Sequence, residues 1–188
     1  MIARASAPGF LLLEDGALFR GVLHGELATT VAEVVFTTNM SGYQEVFTDP
    51  SYRDQIVVMT SPMIGNYGVN PADPESGGAQ VAGVVCRELA RRHSNWRADG
   101  DLGSYLLAAQ IPVLEGVDTR RLTRHLRTAG VMRGAIASGV EPTAEVLAAL
   151  EACPSMEGLD LASRVTTTEP YAWGNPQAHQ KSWMTPPK

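Results

Sequence analysis

The chain has 188 residues, 44% of them hydrophobic and 19% charged, and a formal net charge of −5. That balance suits one soluble domain with a core large enough for independent stability, and it argues against a nucleic-acid surface, which needs a basic patch. No apolar run approaches the ~20 residues of a bilayer-spanning helix, because Arg4, Pro8 and Gly9 interrupt the stretch from Ile2 to Leu13, so a cytoplasmic protein is expected.

In chain order, Phe10 to Leu13 and Leu18 to Leu23 read as a hairpin turned at Glu14-Asp15-Gly16. Val31 to Thr37 and Gln55 to Thr60 are further strands, and the prolines and glycines of Pro62 to Gly78 mark a loop. Gln80 to Arg87 has β character. Asp101 caps a helix through about Ala109, on which Leu102, Tyr105 and Leu106 share a face. Ile111 to Leu114 reads as a buried strand. Asp118 or Thr119 then opens a helix with Leu122 and Leu126 on one side, and Gly130 stops it. Val131 to Ala137 is the next strand. Glu141-Pro142-Thr143 starts a helix whose buried stripe is Val146, Leu147 and Leu150 and which ends near Cys153-Pro154. A short helical piece over Leu159 to Arg164 leads into β character at Val165 to Thr168, and the tail from Gly174 is expected to be mobile. Strands followed by helices predict mixed α and β layers.

Nucleophile and metal signatures are absent. Cys86 and Cys153 lie far apart with no C-x-x-C, and neither has a His placed by local sequence to activate it, so both read as buried structural thiols. The four histidines are scattered, and neither H-E-x-x-H nor G-x-S-x-G occurs. Gly65 and Gly68 fit no phosphate-binding loop.

The densest run of turn chemistry is Glu33 to Asn70, where polar residues and tight turns are held between two apolar strands. Within it Thr48-Asp49-Pro50-Ser51-Tyr52 reads as a turn with Pro after an Asp that bonds its own backbone. Asn39, Gly42, Tyr43, Gln44 and Glu45 form a polar group beside it, either a structural loop or part of a docking face. Asp118 to Arg127 is either a capped helix with a solvated basic face or a docking surface using Arg120, Arg121 and Arg124.

Thr38, Met40, Gly42-Tyr43-Gln44-Glu45 and Thr48 to Tyr52 together resemble a hallmark stretch of the small, glutamine-handling subunit of carbamoyl phosphate synthetase. Ile64 to Gly68, Ser94 to Arg97, Asp118 to Arg120, Leu122 to Arg124 and Val165 to Thr167 follow in that family's order, so the resemblance runs from about Phe10 to about Trp173. It implies a swivelling three-layer β/β/α domain, with a parallel and an antiparallel sheet, over residues 1–153, and a linker over 154–188 toward a class I amidotransferase half. The Gly-x-Cys-x-Gly-x-Gln nucleophile setting of that half is not in this sequence. The resemblance further implies a ligase complex that makes carbamoyl phosphate from glutamine-derived ammonia, bicarbonate and ATP for arginine and pyrimidine synthesis. Its partners would be the large subunit, and L-glutamine through the amidotransferase half, with no nucleic acid and no membrane. ATP and metal would belong to the large subunit and no cofactor to this chain. No catalytic residue is expected here, and the segment by itself should be inactive. Ser51 is the expected glutamine contact, since a hydroxyl can donate to and accept from a zwitterionic amino acid. The rival expectation is a scaffold or binding module that retains the fold.

Overall fold

A computed structural model describes residues 6–25, 28–154 and 158–167. Strands β1 (Ser6–Leu13) and β2 (Leu18–His24) form the expected hairpin, with Leu12 opposite Leu18. β3 (Thr30–Thr37) and β4 (Ile56–Met59) pair in parallel around a short helix α1 (Tyr43–Thr48) and a 3₁₀ turn at Pro50–Tyr52. After a long loop come β5 (Gly83–Val85), α2 (Leu102–Ala108), β6 (Val113–Glu115), α3 (Thr119–Ala129), β7 (Met132–Ser138), α4 (Ala144–Ala152) and α5 (Ala162–Val165).

The strands close into one mixed sheet in the order β1-β2-β6-β5-β4-β3-β7, with β7 pairing back to β1. β3, β4, β5 and β6 are mutually parallel, while β7, β1 and β2 run antiparallel to their neighbours. The resemblance implies a parallel and an antiparallel sheet; here the parallel and antiparallel strands are two arcs of a single closed ring.

Alternation along each strand sorts side chains between the inside of this ring and its outer layers. Leu11, Leu13, Leu23, Val34, Ile56, Val58, Val85, Leu114 and Ile136 form the inner cluster, which Leu122 and Leu126 of α3 join. Their neighbours Phe10 and Leu12 point the other way, against Val146 and Leu150 of α4. Val57, Met59, Val84 and Cys86 pack outward beneath α1 and α2, so β4 and β5 are buried on both faces, as parallel strands require. The interior is tight at Gly134, where an added Cβ would lie 2.6 Å from Val34 Cγ2 and 3.1 Å from Leu11 Cδ1.

Five expectations are corrected. Tyr43 to Thr48 is helical rather than a set of turns. Leu147 is exposed, because α4 faces the barrel only through Val146 and Leu150. Val165 ends α5 and forms no strand, and that helix begins at Ala162 rather than Leu159; Thr168 and the tail from Gly174 lie outside the described residues. Cys153 is half-buried at the C-terminus of α4, whereas Cys86 is fully buried.

Candidate functional site: the Ser51 turn and the α3 surface

Ser51 sits on a turn pinned from behind. Asp49 caps the 3₁₀ turn with Oδ1, which accepts the Ser51 N–H at 2.8 Å, and the Asp49 carbonyl accepts the Tyr52 N–H at 3.0 Å. Pro50 stands at the first helical position, where its fixed φ suits the turn and its missing N–H costs nothing. Behind the turn, Thr48 donates its hydroxyl to the Gln44 carbonyl at 2.8 Å and accepts the Glu75 N–H at 2.9 Å. The Ser76 hydroxyl donates to the Thr48 carbonyl at 2.6 Å, and the Gln80 N–H donates to the Phe47 carbonyl at 2.8 Å. With the backbone thus held, Ser51 remains exposed, and its hydroxyl bonds to no other group among the described residues. A hydroxyl on a fixed turn can meet a ligand with little ordering cost.

The residues before it are committed inward. Gly42 opens α1 at φ 77°, a left-handed conformation that glycine adopts without steric penalty. Its N–H donates to the Tyr67 hydroxyl, and the Tyr43 hydroxyl donates to the Gly68 carbonyl at 2.7 Å. The two phenol rings stack at 4.2 Å. Burial, reinforced by the neighbouring Tyr67 and Glu45, pushes the Tyr43 phenol far above the usual tyrosine range despite its hydrogen bonds, so it stays neutral. The buried Gln44 amide bonds both ways to Asn70, donating to its carbonyl at 2.8 Å and accepting its N–H at 2.9 Å. Tyr43 and Gln44 thus lash α1 to the 62–78 loop, while Asn39 and Met40 are exposed beside them.

On α3, Asp118 caps the helix by accepting the Arg121 N–H at 2.9 Å. The three candidate arginines are not equivalent. Arg121 donates to the Leu18 carbonyl at 3.0 Å and lies 4.5 Å over the Phe19 ring, so it packs against the barrel. All three arginines are exposed and line an open cleft of about 740 Å³ with Ala17, Phe19 and His125, so what separates Arg121 is its contact with Leu18 and Phe19. His125 Nε2 lies 2.6 Å from Asp15 Oδ2.

Cys86 offers no nucleophile. Burial, aided by Glu115 and Glu88, pushes the Cys86 thiol far above its ordinary range, so it stays protonated at neutral pH. Among the described residues no three His, Cys, Asp or Glu side chains come together as a metal site, and no helix is long and apolar enough to cross a membrane. Sequence reading missed the Gln44–Asn70 exchange and an ion pair between Arg164 and Asp54. No spacing rule links such distant positions.

The geometry is that of a domain that presents a fixed turn and a basic helix face on a closed mixed sheet. The family described as "Carbamoyl-phosphate synthase small chain, CPSase domain" matches residues 11–136. The carbamoyl phosphate synthase small chain of Synechococcus sp. is 49% identical over 94% of this chain and 45% of its own length. That of Akkermansia muciniphila is 53% identical over 82% of this chain and 41% of its own, and that of Nostoc sp. is 48% identical over 90% and 44%. The chain belongs to the carbamoyl phosphate synthase small chain family, and it spans less than half the length of these relatives, matching their N-terminal part.

Proposed function

We propose that this chain is the assembly domain of a carbamoyl phosphate synthase small subunit, whose amidotransferase half hydrolyses glutamine and whose large subunit uses the ammonia, bicarbonate and ATP to make carbamoyl phosphate. The reaction serves arginine and pyrimidine synthesis in the cytoplasm, and ATP and metal are held by the large subunit. In this reading the closed sheet is a collapsed three-layer β/β/α arrangement whose parallel and antiparallel arcs face each other. Ser51 offers its hydroxyl to glutamine at the edge of a pocket completed by the amidotransferase half. Arg120 and Arg124 reach the large subunit, and Arg121 braces the helix that carries them.

The observation that supports this most is the exposed Ser51 hydroxyl, uncommitted among the described residues, on a turn that Asp49 caps and Thr48 anchors from behind. The test is steady-state glutamine hydrolysis by the full-length subunit. Ser51→Ala should raise the KM for glutamine about tenfold, the ratio that one lost hydrogen bond to a charged ligand group corresponds to. An unchanged KM would remove Ser51 from the site.

A further inference from the structure

Helix α5 buries none of its residues. Among the described residues, what ties it to the barrel through side chains is Arg164, whose Nη1 lies 2.6 Å from Asp54 Oδ2. Asp54 follows Ser51 by three positions and occupies the left-handed region at φ 58°. Asp is one of the few residues that enter that region at small cost. Its backbone is fixed there by the N–H donated to the Gln80 carbonyl at 3.0 Å. Arg53 flanks the other oxygen, with Nε 3.4 Å from Asp54 Oδ1, and is itself held by donating Nη1 to Gln80 Oε1 at 2.6 Å. Each carboxylate oxygen therefore has its own cation. The Asp54 side chain is 42% exposed as a whole, yet Oδ2 has almost no surface left to water; it meets Arg164 as a close ion pair without hydrogen-bond geometry, so the contact is one of charge.

The family match makes this pair more than a surface contact. Relatives are matched in their N-terminal part, so their remaining half follows the segment that α5 belongs to. Holding α5 at Asp54, three positions from Ser51, would start the path toward that half close to the Ser51 turn. A tether that starts next to its docking site raises the effective concentration of the attached part and narrows the orientations it samples. We propose that Asp54 and Arg164 form a latch that sets the linker so that the C-terminal half closes against the Ser51 turn. Neither residue touches substrate; both are positioning residues, and the role rests on the reading of Ser51 given above.

Full-length small subunit carrying Asp54→Asn, Arg164→Gln or the charge-keeping Arg164→Lys tests the latch by two readouts. Asp54→Asn and Arg164→Gln should each raise the KM for glutamine about two- to fivefold with kcat little changed, as expected for a partly exposed pair. Arg164→Lys should keep most of the parent's KM. Chymotrypsin should cut at Leu159 and Leu161 faster in Asp54→Asn and Arg164→Gln than in the parent, and more slowly again in Arg164→Lys. Unaltered KM and cleavage in Asp54→Asn and Arg164→Gln, or an Arg164→Lys no better than Arg164→Gln, would overturn the latch. If Ser51→Ala leaves KM unchanged while Asp54→Asn and Arg164→Gln still speed cleavage, the glutamine reading fails and the linker contact stands.

Discussion

At the scale of single residues, hydrogen bonds decide more than charge. The Tyr67 hydroxyl receives the Gly42 N–H at the start of α1, so Tyr67→Phe would strip that donor of its partner while keeping the ring stack. A loss of about 1–3 kcal/mol is expected, read as a lower urea midpoint at unchanged slope. Gly134→Ala is the steric counterpart: its methyl would meet Val34 at 2.6 Å inside a closed ring that cannot widen locally, and a cost of about 1–3 kcal/mol should appear in the same assay. Asp15 shows where charge does count. Burial pushes its carboxyl up, but the Ala17 N–H and the His125 ring and charge outweigh that and hold it below the usual carboxylate range. A carboxyl depressed in the folded state adds stability above its unfolded pKa and loses it as pH falls through the folded value. Stability should therefore decline below about pH 4. Asp15→Asn should flatten that decline in thermal melts taken across pH; an unaltered slope would assign it to other groups.

Among the elements, those with local start and stop signals were readable in advance. α3 opens on Asp118 and stops at Gly130 as its caps dictate, and the first hairpin turns where Glu14-Asp15-Gly16 places it. Asp118→Ala should cost about 1 kcal/mol, seen as a melting point lower by about 2–4 °C. α1 was not readable: it is six residues long, opens on a glycine with no side-chain cap, and contains Tyr43, Val46, Phe47 and Thr48, all weak helix formers. Tertiary bonds from Tyr67 and Asn70 make it a helix. Leu147 misled for a different reason, since helical spacing identifies an apolar stripe but not how wide a neighbour covers it. The Ser51 turn was legible because Asp-Pro-Ser encodes its own geometry, whereas the inequality among Arg120, Arg121 and Arg124 depends on Phe19 and Leu18, a hundred residues away.

For the whole molecule, the exposed apolar residues Met40, Met63 and Trp96 lie on loops laced together by Gly42 to Tyr67 and Ser94 to Asn66 hydrogen bonds. The isolated domain should self-associate with rising concentration in sedimentation velocity, and Met40→Ser with Trp96→Ser should reduce this; a strictly monomeric parent would count against an exposed docking face. Reversing both Arg120 and Arg124 to Glu should abolish capture of the large subunit by the full-length small subunit at unchanged melting temperature. Retained capture would move the interface off α3. The seam that closes the ring joins Gly9–Leu13 to Gly134–Ser138, partners 121 to 129 positions apart along the chain. On a ribosome, therefore, β1 leaves the tunnel long before β7 exists, and until then its backbone is an open edge that neighbouring nascent chains could pair with. Once residue 138 emerges the ring can shut, and in a family member the rest of the subunit would then be synthesised behind a finished, edgeless domain.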